Sequence, residues 1–175
     1  MPISGSPQGQ YSRQYILGEI IPKSVTSSNM NNVVTLKHPT NAFDKQLNTR
    51  TRADPDESGK IWIEADLGKE YFVHGIMIIG RYFEDFFYPD SSCVKDDKRY
   101  RKCLDEEKDV HIGVLQEGKV EECGMVSMNY GQSRLDQTYV VYCNKNARGI
   151  KLFKDTGKIF ALEIVILTDG KIYNH

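Results

Sequence analysis

The residues best suited to ligand chemistry lie in one irregular segment, residues 81–88, which reads RYFEDFFY. An arginine fork forms directed hydrogen bonds to hydroxyls or carboxylates, and aromatic rings stack on the apolar faces of sugars. Arg81, Tyr82 and Phe83 therefore form a candidate binding group. The charged run at residues 95–109 follows, and its Arg99 and Arg101 could bind an acidic ligand. Two plainer roles stay open: some aromatics pin a long loop to the domain, and the charge run is a solvated face.

Catalytic signatures are absent from the sequence. It contains no GxSxG, HExxH, P-loop or dinucleotide-binding pattern. The acidic run Asp105-Glu106-Glu107 places its carboxylates side by side, which is not the opposed arrangement of a glycosidase. We therefore expect a binding protein rather than an enzyme.

Composition limits the class of protein. The 175 residues suit one domain, which we place at residues 16–175 after a flexible arm, rich in Gly, Ser, Pro and Gln, at residues 1–15. A net charge of −1 argues against a nucleic-acid or anionic-membrane partner. No apolar run approaches the roughly 20 residues that span a bilayer. The first residues also lack the charged start and apolar core of a signal peptide.

The elements that must position these residues are short β-strands. Apolar and polar residues alternate in Ile61–Leu67, which predicts a half-buried strand with Trp62 on the face opposite Ile61 and Ile63. We expect Trp62 to pack in the core or at a barrel end rather than to stack on a ligand. Asp66, as a turn acceptor, and Gly68, with positive φ, are expected to end this strand. Further strands are predicted at residues 32–36, 72–80, 110–115, 137–143, 149–153 and 159–167, and short helices at 40–48 and 96–108.

The four cysteines are Cys93, Cys103, Cys123 and Cys143. An even count confined to the second half of the chain fits two disulfides in an oxidising compartment. Four free thiols in a cytosolic protein remain the alternative. Zinc is not indicated, since no CxxC or HxxxH spacing occurs.

Several stretches together resemble a known family. TNAFDKQLNTRTRAD and IWIEADLGKEYFVHGIMIIGR are similar to two successive segments of discoidin-type domains, and KIFALEIVIL resembles their closing strand. ECGMVSMNYGQ and YVVYCNKNARGIKLF, each with a cysteine, resemble F-type (fucose-binding) lectins more narrowly. The resemblance covers residues 25–168. It implies an all-β fold, a discoidin-like jelly-roll β-sandwich of the galactose-binding-domain type, with a Cys123–Cys143 bridge.

The resemblance also implies a calcium ion held by oxygen ligands in the loop at residues 41–51 and in the closing strand. Calcium takes six to eight hard oxygens. Lys45-Gln46 stands where the family has Gly-Asn, which brings a positive charge beside the loop. The alternative is a loop tied by Asp44 capping backbone NH groups. The implied ligands are Asn41, Asp44, Asn48, Thr49 and Glu163.

At the sugar site the sequence departs from the family. Arg81 matches the first basic residue of the motif, and Arg99 or Arg101 could be the second, but Phe83 replaces an aspartate and residues 52–60 hold no histidine. The family's vicinal cysteines are missing, although Cys93 and Cys103 lie in the expanded loop and could pair. We expect an extracellular, lectin-like module that binds glycans. A protein-recognition or adhesion module is the main alternative; a targeting domain of a larger enzyme and a lipid-binding domain using Phe86 and Phe87 are others.

Overall fold

The computed structural model describes residues 18–29, 38–46, 49, 51–80, 109–126, 138–161 and 163–169. Several predictions lie outside the described residues: the arm at 1–15, the strand at 32–36, the helix at 96–108, a Cys93–Cys103 pair, and the site residues Asn48, Arg81, Tyr82, Phe83, Arg99 and Arg101.

The regular secondary structure of the described residues is almost wholly β-strand, and every strand pairing among them is antiparallel. No helix in this part of the chain is long and apolar enough to span a bilayer. One 3-10 helix covers Pro39–Phe43. The strands are β1 (Gly18–Ile20), β2 (Ser24–Ser27), β3 (Thr51–Ala53), β4 (Ile61–Ile79), β5 (Val110–Gln116), β6 (Lys119–Val126), β7 (Thr138–Lys154), β8 (Ile159–Ala161) and β9 (Glu163–Thr168).

Two long strands, β4 and β7, pair with each other and carry both layers of the sandwich. The first part of β4, residues 61–66, and the last part of β7, residues 149–154, lie between β2 on one side and β5 and β6 on the other. We call this part the front sheet. The last part of β4, residues 75–79, and the first part of β7, residues 138–142, lie in one sheet with β9 and then β1. This is the back sheet. A small additional sheet pairs β3 with β8.

The core follows from the alternation seen in the sequence. Ile61, Ile63 and Ala65 of the front sheet and Ile76 and Ile78 of the back sheet are all buried in one hydrophobic cluster. Because both parts of β4 contribute buried side chains to the same cluster, the strand must fold over it. The fold is therefore an all-β sandwich, as the sequence predicted.

The fold-over occurs where the register of β4 with β7 shifts, between Asp66 and Tyr71 and again between Val73 and Gly75. Gly68 has a φ of +84°, and its backbone NH donates to Asp66 Oδ1 at 2.9 Å. The predicted turn and its acceptor are confirmed, but the prediction that a strand ends there was wrong. Backbone pairing resumes at once, so two predicted strands form one bent strand, and residues 137–143 and 149–153 likewise merge into β7.

Candidate functional site

The loops of interest gather at one end of the sandwich. Since β4 folds over, its first residue Ile61 and its last residue Ile79 lie at the same end, where they pair with Lys154 and Thr138 at the two ends of β7. Glu163, the first residue of β9, pairs with Ile79 and so lies at this end too. The connections that adjoin Ile61, Ile79 and Glu163 therefore lie at one end of the sandwich, which we call the loop end.

The segment that precedes β3 is built by local hydrogen bonds. His38 Nδ1 accepts from the Thr40 backbone NH at 3.3 Å and starts the 3-10 helix, with Pro39 in its first turn. Thr51 Oγ1 donates to the His38 carbonyl at 2.7 Å and closes the loop onto β3. Ala42 is buried against the core. These bonds fix residues 38–46 at the loop end.

Oxygen atoms converge inside this loop. Asp44 Oδ1 accepts from the Gln46 NH at 2.9 Å, and Asp44 Oδ2 lies 2.5 Å from Thr49 Oγ1. The Thr49 hydroxyl also lies 3.3 Å from the Asn41 carbonyl oxygen and 3.1 Å from that of Gln46. One hydroxyl proton cannot serve three acceptors at once. The loop is thus tied by Asp44, as the capping alternative predicts, and is also rich in the hard oxygens that calcium prefers.

Glu163 closes the same loop from β9. Its Oε2 accepts a 2.9 Å hydrogen bond from the Lys45 backbone NH. Its Oε1 is buried and has no hydrogen-bond partner among the described residues. Burial raises the pKa of Glu163 to about 8; the Lys45 amide opposes this, and the carboxylates of Asp44 and Glu19 add to it. A buried carboxylate with one unsatisfied oxygen is a group that a bound cation would stabilise.

The ammonium group of Lys45 pairs with an acidic side chain of β1. Lys45 has a φ of +62°, and its ammonium forms an ion pair with Glu19 Oε2 at 3.1 Å, so its expected repulsion of a cation is partly neutralised. Sequence reasoning missed Glu19 because the short strand GEI that carries it has no motif. The pairing of β1 with β9 places Glu19 opposite Leu167, on the strand that begins with Glu163.

The structure therefore brings together Asn41, Asp44, Thr49 and Glu163 of the implied calcium ligands. No three or more His, Cys, Asp or Glu side chains in the described ranges are grouped to hold a metal. A calcium ion here would rest on the carboxylates of Asp44 and Glu163 together with hydroxyl and main-chain oxygens. The donor chemistry and the unsatisfied Glu163 Oε1 fit that ion.

The disulfide implied by the resemblance is confirmed. Cys123 of β6 and Cys143 of β7 are bonded, with their Cα atoms 5.0 Å apart. Within the described sheet, β6 forms backbone hydrogen bonds only with β5. The disulfide therefore joins β6 to β7, a strand with which β6 does not pair.

Comparisons with known proteins identify the fold. No family model and no curated protein sequence matches the chain. Among solved structures, the F-lectin (fucolectin) from striped bass (Morone saxatilis) serum matches with a TM-score of 0.61 at 12% identity, over 87% of this chain and 47% of that one. The family 32 carbohydrate-binding module (CBM) of C. perfringens NanJ, in complex with galactose, matches with a TM-score of 0.56 at 16% identity, over 87% and 99%.

A third match is truncated AlyQ, which has CBM32 and alginate lyase domains. Its TM-score is 0.58 at 16% identity, over 90% of this chain, which spans 35% of AlyQ's length. At these identities the matches establish the fold. The chain is a galactose-binding-domain-like β-sandwich of the architecture shared by F-type lectins and family 32 modules.

Proposed function

We propose that this chain is an extracellular carbohydrate-binding module that binds a glycan at the loop end, with a calcium ion bracing the loop that holds Asp44. The observation that carries the proposal is the convergence of Asp44, Thr49 and Glu163 at the loop end of a sandwich whose structural neighbours are sugar-binding modules. Arg81 lies two residues after the end of β4 in the sequence, and its guanidinium is our candidate sugar ligand.

The calcium part of the proposal assigns a structural role. Asp44 and Glu163 would supply carboxylate oxygens, and Asn41 and Thr49 would supply further oxygens. A bound calcium ion would offset the charge of two carboxylates and fix the loop against β9. No catalytic step is implied, because a module of this kind binds its ligand without changing it.

The extracellular part rests on the Cys123–Cys143 bridge, because disulfides persist mainly in oxidising compartments. Intact mass before and after reduction tests it. The bridge predicts a gain of two hydrogens on reduction. Unmodified free thiols at Cys123 and Cys143 in protein isolated from its natural source would contradict it.

A glycan array, probed in calcium and again in EGTA, tests the proposed function. We expect at least one glycan to be retained in calcium and released in EGTA. Arg81→Ala should abolish this calcium-dependent retention, whereas Arg148→Ala, which removes an exposed arginine of β7, should preserve it. Folded protein that retains no glycan under either condition would contradict the proposal.

A second candidate, protein recognition on the same scaffold, is favoured by one exposed patch. Tyr142 is 60% exposed and Val140 is 37% exposed, and as alternate residues of β7 they share a face of the back sheet. The ring of His74 contacts Tyr142 edge-on, with centroids 5.3 Å apart. Capture of a defined protein partner by the native chain, lost in Tyr142→Ala, together with a negative array, would support this candidate.

A further inference from the structure

An aromatic row crosses the outer face of the front sheet. Trp62 of β4 pairs with Phe153 of β7, Phe153 with His111 of β5, and His111 with Met125 of β6. Four neighbouring strands thus contribute one residue each, and three interstrand spacings give the row a length of about 14 Å. This face opens to solvent, since Met125 is 51% exposed and the three rings are only partly buried.

Two adjacent clefts lie along this row. The first has a volume of about 470 Å³ and is lined by Trp62, Phe153, Asp56, Lys60 and Val120, among others. The second, of about 620 Å³, is lined by His111 and Met125 and shares Lys154 and Asp155 with the first. Each volume lies within the range of small-molecule sites, and together they form an elongated groove.

The rings that line the groove are held in place. The indole NH of Trp62 lies 3.4 Å from Asp56 Oδ2, and the ammonium of Lys151 lies 5.6 Å from the centre of the indole. His111 stacks on Phe153 with centroids 5.3 Å apart and planes inclined by 17°, and its Nδ1 lies 3.0 Å from Glu122 Oε1. Rings fixed in this way can contact a ligand with little loss of side-chain entropy.

The wall beside Trp62 is also preformed. Asp56 Oδ1 accepts hydrogen bonds from the backbone NH groups of Ser58 and Lys60, both at 2.9 Å, and from Ser58 Oγ at 2.7 Å. The Ser58 hydroxyl above all, with the Lys60 and Ser58 amides and the Trp62 indole NH, holds the pKa of Asp56 below its ordinary value. Asp56 is therefore an ionised acceptor whose position is set before any ligand arrives.

The charges of the groove favour a neutral ligand. Lys60 pairs with Asp155 at 3.2 Å, and Lys151 pairs with Glu64 at 3.3 Å. Since each of these two lysines is matched by a carboxylate, neither adds an unbalanced positive charge that would select a sulfated or uronate chain. Alternating donors and acceptors around apolar rings are instead the arrangement that sugar hydroxyls and sugar CH faces require.

We propose that this groove is a second carbohydrate site, which binds a neutral, linear oligosaccharide across Trp62, Phe153 and His111 independently of calcium and of Arg81. The choice of ligand class rests on the proposed function. The location rests on the aromatic row and the clefts. Of the two positions expected for Trp62, the core or a barrel end, the structure excludes the core: Trp62 lies outside the buried cluster, because its strand register directs it to the outer face.

Trp62 is the only tryptophan in the chain, so its fluorescence reports on this groove. The experiment titrates short oligosaccharides of glucose, mannose, xylose and N-acetylglucosamine into Arg81→Ala protein in EGTA, which removes both calcium and the Arg81 guanidinium. We expect a saturable change in emission with at least one of these chains. Phe153→Ala should weaken the apparent affinity at least tenfold, and Arg148→Ala, a substitution of an exposed residue on the same strand, should leave it unchanged.

Val120→Glu is a second variant, because Val120 is 40% exposed and its replacement fills the cleft without altering the core. It too should weaken binding, while its melting temperature stays near that of the native chain. No emission change with any neutral chain would overturn the proposal, even where the array shows calcium-dependent binding at the loop end. A change seen only with alginate or heparin fragments and abolished by salt would overturn the ligand class. A negative array would contradict the proposed function at the loop end. A saturable emission change in the same protein would still support sugar binding in this groove.

Discussion

The backbone NH of Lys45 donates a 2.9 Å hydrogen bond to Glu163 Oε2 and joins two residues that lie 118 positions apart. This bond fastens the loop holding Asp44 to the first residue of β9. It leaves Glu163 Oε1 buried without a hydrogen-bond partner among the described residues, next to a second carboxylate on Asp44. This contact thus orders the loop end and buries one carboxyl group close to another.

The burial of this carboxyl group predicts a pH-dependent stability for the metal-free protein. Glu163 has a folded-state pKa of about 8 against an ordinary value of 4.5. Because the native state keeps this proton to higher pH than the unfolded chain does, its contribution is fully present below pH 4.5 and is lost as the pH rises toward 8. Chemical denaturation in EGTA at several pH values measures this fall. Glu163→Gln should flatten it, and an unchanged slope in that variant would contradict the assignment.

Asp44→Ala should weaken both the loop and its response to calcium. The substitution removes the acceptors of the Gln46 NH and the Thr49 hydroxyl, at a cost of about 1–2 kcal/mol in the free energy of unfolding. It also removes one of the two carboxylates offered to calcium. Thermal melts with and without calcium measure both effects.

Asp66→Ala is the matched control, since Asp66 caps the Gly68 NH in a turn of the front sheet. It should lower the melting temperature by a similar amount yet keep the calcium-induced rise. An equal calcium-induced rise in Asp44→Ala would show that the ion, if bound, is held elsewhere.

Removal of the disulfide should destabilise the domain without changing its fold. The bridge closes a loop with a sequence separation of 20, for which chain entropy predicts a contribution of about 3 kcal/mol. The double variant Cys123→Ala, Cys143→Ala should unfold at correspondingly lower denaturant concentration with the same far-ultraviolet spectrum. A loss of less than about 1 kcal/mol would indicate that the pairing of β6 with β5 already holds that strand.

The sequence predicted the sandwich better than its connections. Ile61, Ile63 and Ala65 alternate with polar neighbours, and that period directly reports a strand with one buried face. The merging of residues 61–67 and 72–80 into β4 was not predictable, because turn residues at Asp66 and Gly68 also signal a chain reversal. Only long-range pairing with β7 decides between a hairpin and a bent strand.

The candidate calcium loop was likewise predicted only in part. A family resemblance implied Asp44 and Glu163 as calcium ligands, and the structure places both beside one loop. Glu19 could not be anticipated, since β1 has only three residues and its position depends on pairing with β9. Trp62 was placed on the correct face of its strand, but its row with Phe153 and His111 depends on the register of three strands, which local sequence does not specify.

The central claim, sugar binding at a calcium-braced loop end, is tested most directly by saturation-transfer NMR. The native protein is mixed with galactose, fucose, mannose, glucose and N-acetylglucosamine in calcium, and the spectrum is repeated after addition of EGTA and then with Arg81→Ala. The account predicts that at least one sugar receives saturation in calcium, and that the transfer to this sugar is markedly reduced both in EGTA and in the variant. Folded native protein that transfers saturation to no sugar in calcium would contradict it.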